Sequence, residues 1–400
     1  MSESESLPIP AGLRVGAVRA GIKPSGGLDL AVFIADRECA AAGTFTTNRV
    51  AAAPVQWCRS LLPTDHIRAV VVNAGNANAA TGEQGLANAR KMAEVVAGKI
   101  GCDATQVLVA STGVIGRQLP MDKVEAGIID AIRQSEPTEA AFHTASQAIM
   151  TTDTRPKVVS RTVKLSNGDE TSIVGLAKGA AMIGPNMATM LGFLFTDAKI
   201  GPGQLHGILT QAVEDSFNCI SVEGHMSTND TVLLLALGNT LATVKGDDLA
   251  PFARAVREVC LELSRKIVDD GEGTTHTITI DVEGCTDRAE ARKIAEAVAH
   301  SPLVKTAISG ADPNWGRIVS AAGYAGIPFA EEELSLWVNG FPLYQNGMPL
   351  PFEEAVVSAA IRDQRETHFR LLFTRGDASI RFWTTDLTAE YVRLNADYTT

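Results

Sequence analysis

Apolar and polar positions along this chain switch repeatedly between a strand period and a helix period. His66–Asn73 is a short apolar run and reads as a buried strand, followed by a Gly- and Asn-rich turn at 74–82. Leu86, Ala89, Ala93, Val96 and Ile100 then form one helical stripe, with Thr81 and Glu83 polar at its start. Gln106–Ala110 reads as another strand, and Ser111-Thr112-Gly113 as the loop leaving it, a place where catalytic donors commonly sit. Leu205–Asp215 and Leu249–Val268 read as helices, with Thr231–Leu237 a short buried strand between them. Thr277–Val282 alternates with period two and predicts a half-buried strand. Arg288–His300 predicts a helix with Asp287 as its N-cap, and Phe369–Thr384 a hairpin turning at Arg375–Asp377. Alternating strands and helices define a mixed α/β fold. The pattern restarts near residue 276, which sets the expected lobe boundary: a core over 1–276 and a smaller lobe over 277–400.

Length agrees with two lobes, because 400 residues exceed what one hydrophobic core usually holds. A hydrophobic fraction of 45% is ordinary for a globular protein. Acidic residues outnumber basic ones, 46 to 35, and a net charge of −11 argues against nucleic acid or anionic lipid as a partner. No apolar run is long enough to span a bilayer, and the start Met-Ser-Glu-Ser-Glu-Ser lacks the form of a signal peptide. Six scattered cysteines without a C-x-x-C pair suit reduced thiols in a cytoplasmic protein. The seven histidines form no zinc motif, and no phosphate loop is present, so no cofactor is expected.

The candidate chemistry lies in Lys178-Gly-Ala-Ala-Met-Ile-Gly-Pro-Asn-Met-Ala-Thr189. Thr189 directly follows the small residue Ala188. Attack of its hydroxyl on the Ala188 carbonyl would turn the amide into an ester, which water then splits. The product begins with Thr189, whose α-amine has an unperturbed pKa near ~8 and can act as base for its own hydroxyl. The plainer reading of a threonine in this apolar stretch is a buried hydroxyl bonded to a nearby carbonyl.

A series of runs in sequence order decides between them. They are Phe45–Val55, Gly75–Gly82, Ser111–Gly116, Met150–Thr154, Lys178–Met190, Ser227–Thr231, Asp270–Gly273, Asp312–Ile318 and Asn395–Thr400. Together they resemble the ornithine acetyltransferase family, the bifunctional glutamate N-acetyltransferases of arginine biosynthesis. The resemblance implies an α-β-β-α sandwich of the self-processing, N-terminal-nucleophile aminopeptidase type, with a smaller C-terminal α/β lobe. It implies cleavage into an α chain, 1–188, and a β chain, 189–400, two of each assembling together. The implied reaction moves an acetyl group from N-acetylornithine to glutamate through an acetyl-threonine ester at Thr189. Ornithine and N-acetylglutamate are the products. Acetyl-CoA as a second acetyl donor is left open.

The same resemblance implies the site residues. Thr112 and Gly113 would form the oxyanion site, and Thr151, Lys178, Thr189, Glu272, Asn395 and Thr400 would contact the substrate. Chemically, Lys178 suits a carboxylate and Glu272 an ammonium. The Asn-rich turn and the Ser227–Asp230 run read as turn formers and are not assigned to the site. Three positions depart from the family pattern: Ala80 replaces a cysteine in what looks like a packing change, His225 stands where an acidic residue is common, and His276 replaces a lysine. Two other readings compete. One is a related aminopeptidase or amidase that gives the acyl group to water, and the other is a non-catalytic amino-acid-binding scaffold.

Overall fold

A computed structural model describes residues 7–184, 190–240 and 242–397. Ala188, Thr189 and Thr400 lie outside the described residues. The chain forms two compact units: residues up to Asn218 with Met226–Ile267 make the first, and Cys219–His225 with Val268 onward the second. The boundary read at 276 coincides with the residue before a strand that starts at Thr277, whereas the compact units divide inside the preceding helix.

The strands of the first unit are β1 (Leu13–Val18), β2 (Leu30–Phe45), β3 (Thr64–Asn76), β4 (Val107–Val114), β5 (Lys157–Lys164), β6 (Glu170–Lys178), β7 (Leu191–Thr196) and β8 (Thr231–Ala236). They pair in the order β4-β3-β2-β8-β7-β6-β5, with β1 also on β2. The helices are α1 (Ala53–Leu61), α2 (Gly82–Ile100), α3 (Met121–Arg133), α4 (Glu139–Ala148), α5 (Pro202–Glu214) and α6 (Leu249–Asp269), the last crossing into the second unit.

One hydrogen-bonded path nevertheless makes two layers, because β2 bends. Its first part pairs with β1 and β3, and its last part, Ala40–Phe45, with β8. Ten residues of straight strand would separate Phe33 from Gly43 by about 33 Å. Yet the Phe33 ring lies 5.7 Å from Phe193, whose partner Leu233 pairs with Gly43. The strand therefore folds back, and its pairing with β3 shifts between Ile34 and Cys39, around the exposed Asp36-Arg37-Glu38. Period-two alternation then serves both faces. Ala31, Phe33 and Ala35 enter the core between the layers, while Leu30, Val32 and Ile34 pack beneath α2 and α3. The second layer is covered by α5 and α6; a Cβ on Gly175 of β6 would lie 2.9 Å from Val259 of α6. Helices thus cover both outer faces, which is the expected α-β-β-α sandwich. Phe33 stacks on Phe195 and meets Phe142 edge-on, and such aromatic pairs are each worth about 0.5–1.5 kcal/mol beyond area burial.

The second unit holds β9 (Thr277–Cys285), β10 (Leu334–Val338), β11 (Phe341–Gln345), β12 (Met348–Pro349), β13 (Glu366–Phe373) and β14 (Ala378–Thr385) in the order β12-β11-β10-β13-β9-β14. Its helices are α7 (Arg288–Ala299), α8 (Pro302–Ser309), α9 (Trp315–Gly323), α10 (Glu354–Arg362) and α11 (Ala389–Asp397). Asp287 caps α7 as expected, accepting the Glu290 N–H at 2.8 Å. The expected 369–384 hairpin is corrected: β9 lies between the two strands, parallel to β13 and antiparallel to β14. The polar face of β9 is buried too, because Asp281 accepts from Arg381 and Thr279 donates to Glu366 on the flanking strands. Among the described residues no helix is long and apolar enough to cross a membrane.

Candidate active site

The Ser111–Gly113 segment is not a loop but the last part of β4, paired in parallel with Asn73–Gly75 of β3. Gly113 has φ +129, and a Cβ there would fall 2.3 Å from the Gly75 carbonyl carbon. Only glycine fits this approach of two backbones without displacing one of them. Thr112 is 2% exposed. Its Oγ1 accepts from Lys178 Nζ at 3.2 Å, so the last residue of β6 reaches the end of β4. A hydroxyl that accepts from an ammonium turns its own proton elsewhere and becomes a stronger donor.

Lys178 is 2% exposed, and a buried ammonium needs compensation. Asp153 supplies it. Burial alone would raise the Asp153 carboxyl, but the charges of Lys178 and Lys157 and the Gly179 N–H together hold it below its ordinary value. Asp153 Oδ1 takes Lys157 Nζ at 2.7 Å and the Gly179 N–H at 2.6 Å, while Oδ2 takes the Thr151 N–H at 3.0 Å. One carboxylate thus joins the Met150–Thr154 run to Lys178-Gly179. Sequence reading quoted Asp153 inside a motif but gave it no role. The signal was an aspartate flanked by threonines, which alone says only that a turn is favoured.

The asparagines of 73–78 are buried and hold backbone. Asn76 Nδ2 donates to the carbonyls of Arg117 and Gln118, and its Oδ1 accepts the Asn78 N–H at 2.8 Å. Ser111 Oγ donates to Asn73 Oδ1 at 2.6 Å. These bonds stiffen the strand ends that carry Thr112 and Gly113; the expected turn at 74–82 is corrected, because β3 continues through Asn76. Ala80, expected to be a packing position, is exposed with φ 54, so the packing reading is corrected.

In the second unit Glu272 and Asn395 meet: Asn395 Nδ2 donates to Glu272 Oε2 at 3.2 Å. Asn395 sits on α11, which is anchored by the Thr388 hydroxyl on the Gly273 carbonyl and by close packing of Gly273 against Tyr391. The C-terminal segment is therefore tied down as far as Asp397. His276 has its own partner: its N–H and Nδ1 face Asp386 at 3.1 and 3.4 Å. His276 is thus held locally by a buried carboxylate.

The ArgJ family profile matches residues 14–400. An arginine biosynthesis bifunctional protein ArgJ of Rhodopirellula baltica is 44% identical over 396 residues, covering 98% of this chain and 96% of its own. The same-named protein of Bifidobacterium longum is 45% identical, covering 98% and 99%. The crystal structure of a Bacillus halodurans protein of that name is 36% identical with a TM-score of 0.50, covering 52% of this chain and 98% of that one. These findings first define a class, an acetyltransferase-type enzyme of amino-acid biosynthesis built on a sandwich with a smaller α/β unit. Within that class, the chain belongs to the ArgJ family.

Proposed function

We propose that the protein cleaves itself between Ala188 and Thr189 and then transfers acetyl from N-acetylornithine to glutamate. The carrying observation is the buried Lys178–Thr112 contact beside Gly113, at a position where only glycine fits. In the first half-reaction Thr189 Oγ bonds to the acetyl carbon, its proton passes to the α-amine, and ornithine leaves as an amine that takes up a proton. In the second, the glutamate amine attacks the ester, N-acetylglutamate leaves, and the threonine hydroxyl is restored. Both tetrahedral intermediates carry an oxyanion, which Thr112 and Gly113 would stabilise. One such donor is worth about 2.7–4 kcal/mol. No ATP is needed, since one amide is exchanged for another.

Lys178 is assigned to a substrate carboxylate and Thr151, beside Asp153, to the same substrate. Glu272 with Asn395 is assigned to an ammonium, and Thr400 keeps the contact role that the resemblance implies. The half-length Bacillus halodurans chain supports a two-piece protein, because residues 189–400 are about half of this one. Two α and two β chains are the proposed assembly. The test is a transfer assay with labelled N-acetylornithine. Label moving to glutamate, with acetyl trapped on Thr189 when glutamate is withheld, is the expected result. Release of free acetate with no acetylglutamate would replace transfer by hydrolysis. Labelled acetyl-CoA in the same assay decides the second donor.

A further inference from the structure

The Ser227–Asp230 run, read from sequence as turn formers, holds two peptides that the chemistry above depends on. Its four residues are 3, 8, 4 and 0% exposed and lead into β8. Met190 leads into β7, which runs parallel to β8 with Leu191 opposite Thr231. One step before that pair, a side chain continues the ladder. The Met190 N–H donates to Asp230 Oδ1 at 3.0 Å, and its carbonyl accepts the Thr231 N–H at 3.3 Å. Both backbone groups of Met190 are therefore gripped, and its nitrogen is the atom bonded to the carbonyl carbon of Thr189.

Asn229 grips the other strand. Its Nδ2 donates to the Ala77 carbonyl at 2.6 Å and to the Ser111 carbonyl at 2.8 Å. The Ser111 carbonyl belongs to the same planar peptide as the Thr112 N–H. Asn229 is itself fixed: Thr228 Oγ1 donates to its Oδ1 at 2.6 Å, and its N–H donates to Ser227 Oγ at 3.0 Å. The whole run is pinned from β2, where the Thr46 hydroxyl donates to the Ser227 carbonyl at 2.7 Å and the Thr46 N–H to the Asp230 carbonyl at 2.9 Å. A buried polar network with this many partners specifies one geometry.

We propose that Asn229 and Asp230 are positioning residues that set the peptide following Thr189 and the peptide preceding Thr112 in fixed relation, for self-cleavage and for acetyl transfer. The proposal rests on the reading of Thr189 as nucleophile and of Thr112 and Gly113 as oxyanion donors. Among the described residues, each acts through a backbone bond. Burial pushes the Asp230 carboxyl well above its usual range, against the pull of the Met190 N–H and the Lys178 charge. An asparagine at 230 has the same shape and keeps an oxygen where Asp230 Oδ1 accepts the Met190 N–H. A misplacement of about 1 Å in such a constellation costs about 100-fold in rate.

Wild type, Thr189→Ala, Asp230→Asn, Asp230→Leu and Asn229→Ser would be compared in the full chain. Cleavage rate is read by mass, folding by thermal unfolding, and kcat and KM by transfer assay. Asp230→Asn keeps the acceptor and is expected to cleave within about threefold of wild type. Asp230→Leu removes it and, when folded, is expected to cleave about 100-fold more slowly. Asn229→Ser removes both donors and is expected to lower kcat at least about tenfold with KM nearly unchanged, a split that general destabilisation does not give. A folded Asp230→Leu or Asn229→Ser with wild-type rates overturns the proposal. So does a 100-fold loss in Asp230→Asn, which decides the matter even where the leucine variant does not fold. An uncut wild type would instead overturn the nucleophile reading. A cut wild type, an uncut Thr189→Ala and indifferent 229 and 230 variants would overturn the positioning alone.

Discussion

Asp153 in the first unit and Asp281 in the second are both held below the ordinary carboxylate range, yet they do different work. Asp153 and its partner Lys157 have side chains 0% and 1% exposed. Burial opposes the Asp153 charge, and two ammoniums and backbone N–H groups outweigh it. Asp281 is also opposed by burial, but hydrogen bonds from Arg381 and His368 bring it to about 2. Those partners are themselves open to solvent, 58% and 40% exposed. The second cluster staples β13 and β14 across β9. The first fixes a buried lysine on the Thr112 hydroxyl. A desolvated cluster of this kind is costly to build and is weak evidence for stability as such. Its use here is to aim a charge.

Removing one partner from each cluster tests the difference most strongly. Lys157→Met leaves a buried carboxylate short of a cation and is expected to cost about 3–5 kcal/mol in denaturant unfolding, with loss of transfer activity. Equal effects from Lys157→Met and Arg381→Met would break the distinction. Arg381→Met is expected to cost only about 1 kcal/mol or less, with transfer activity unchanged, because its pair is solvated on one side. A third test is a pH slope. Asp281 titrates near 4 when unfolded and at about 2 when folded. Its stabilisation is therefore complete above about pH 4 and disappears as pH falls toward 2. Melting temperatures of wild type and Asp281→Asn should converge over that window, and parallel curves would remove the assignment.

Legibility in the sequence followed locality. The strand at 66–73 and the helix at 288–300 with its Asp287 cap were readable because period and cap lie within a few residues. The stripe of α2 holds at Ala89, Ala93 and Val96 but not at its first residue. Leu86 is 42% exposed, and the buried face runs through Gly85, Asn88, Ala89, Met92, Ala93, Val96 and Ala97. Ala89, Ala93 and Val96 of the expected stripe are on that face, and small residues with one asparagine complete it, which hydrophobicity alone does not show. The split 369–384 pair was unreadable because nothing in those residues says that β9, about ninety positions earlier, inserts between them. Within the candidate site, Thr112, Gly113 and Lys178 came from the resemblance; in the structure Asp153 and Asn229 bond the backbone beside Lys178 and Thr112, and Asp230 that of Met190. Their role lies in contacts between segments far apart in the chain, which no local pattern carries.

The most direct measurement is intact mass under denaturing conditions for wild type and Thr189→Ala. The expected result is wild-type pieces of residues 1–188 and 189–400, and an uncut variant. A folded wild type that stays a single 400-residue chain would contradict it.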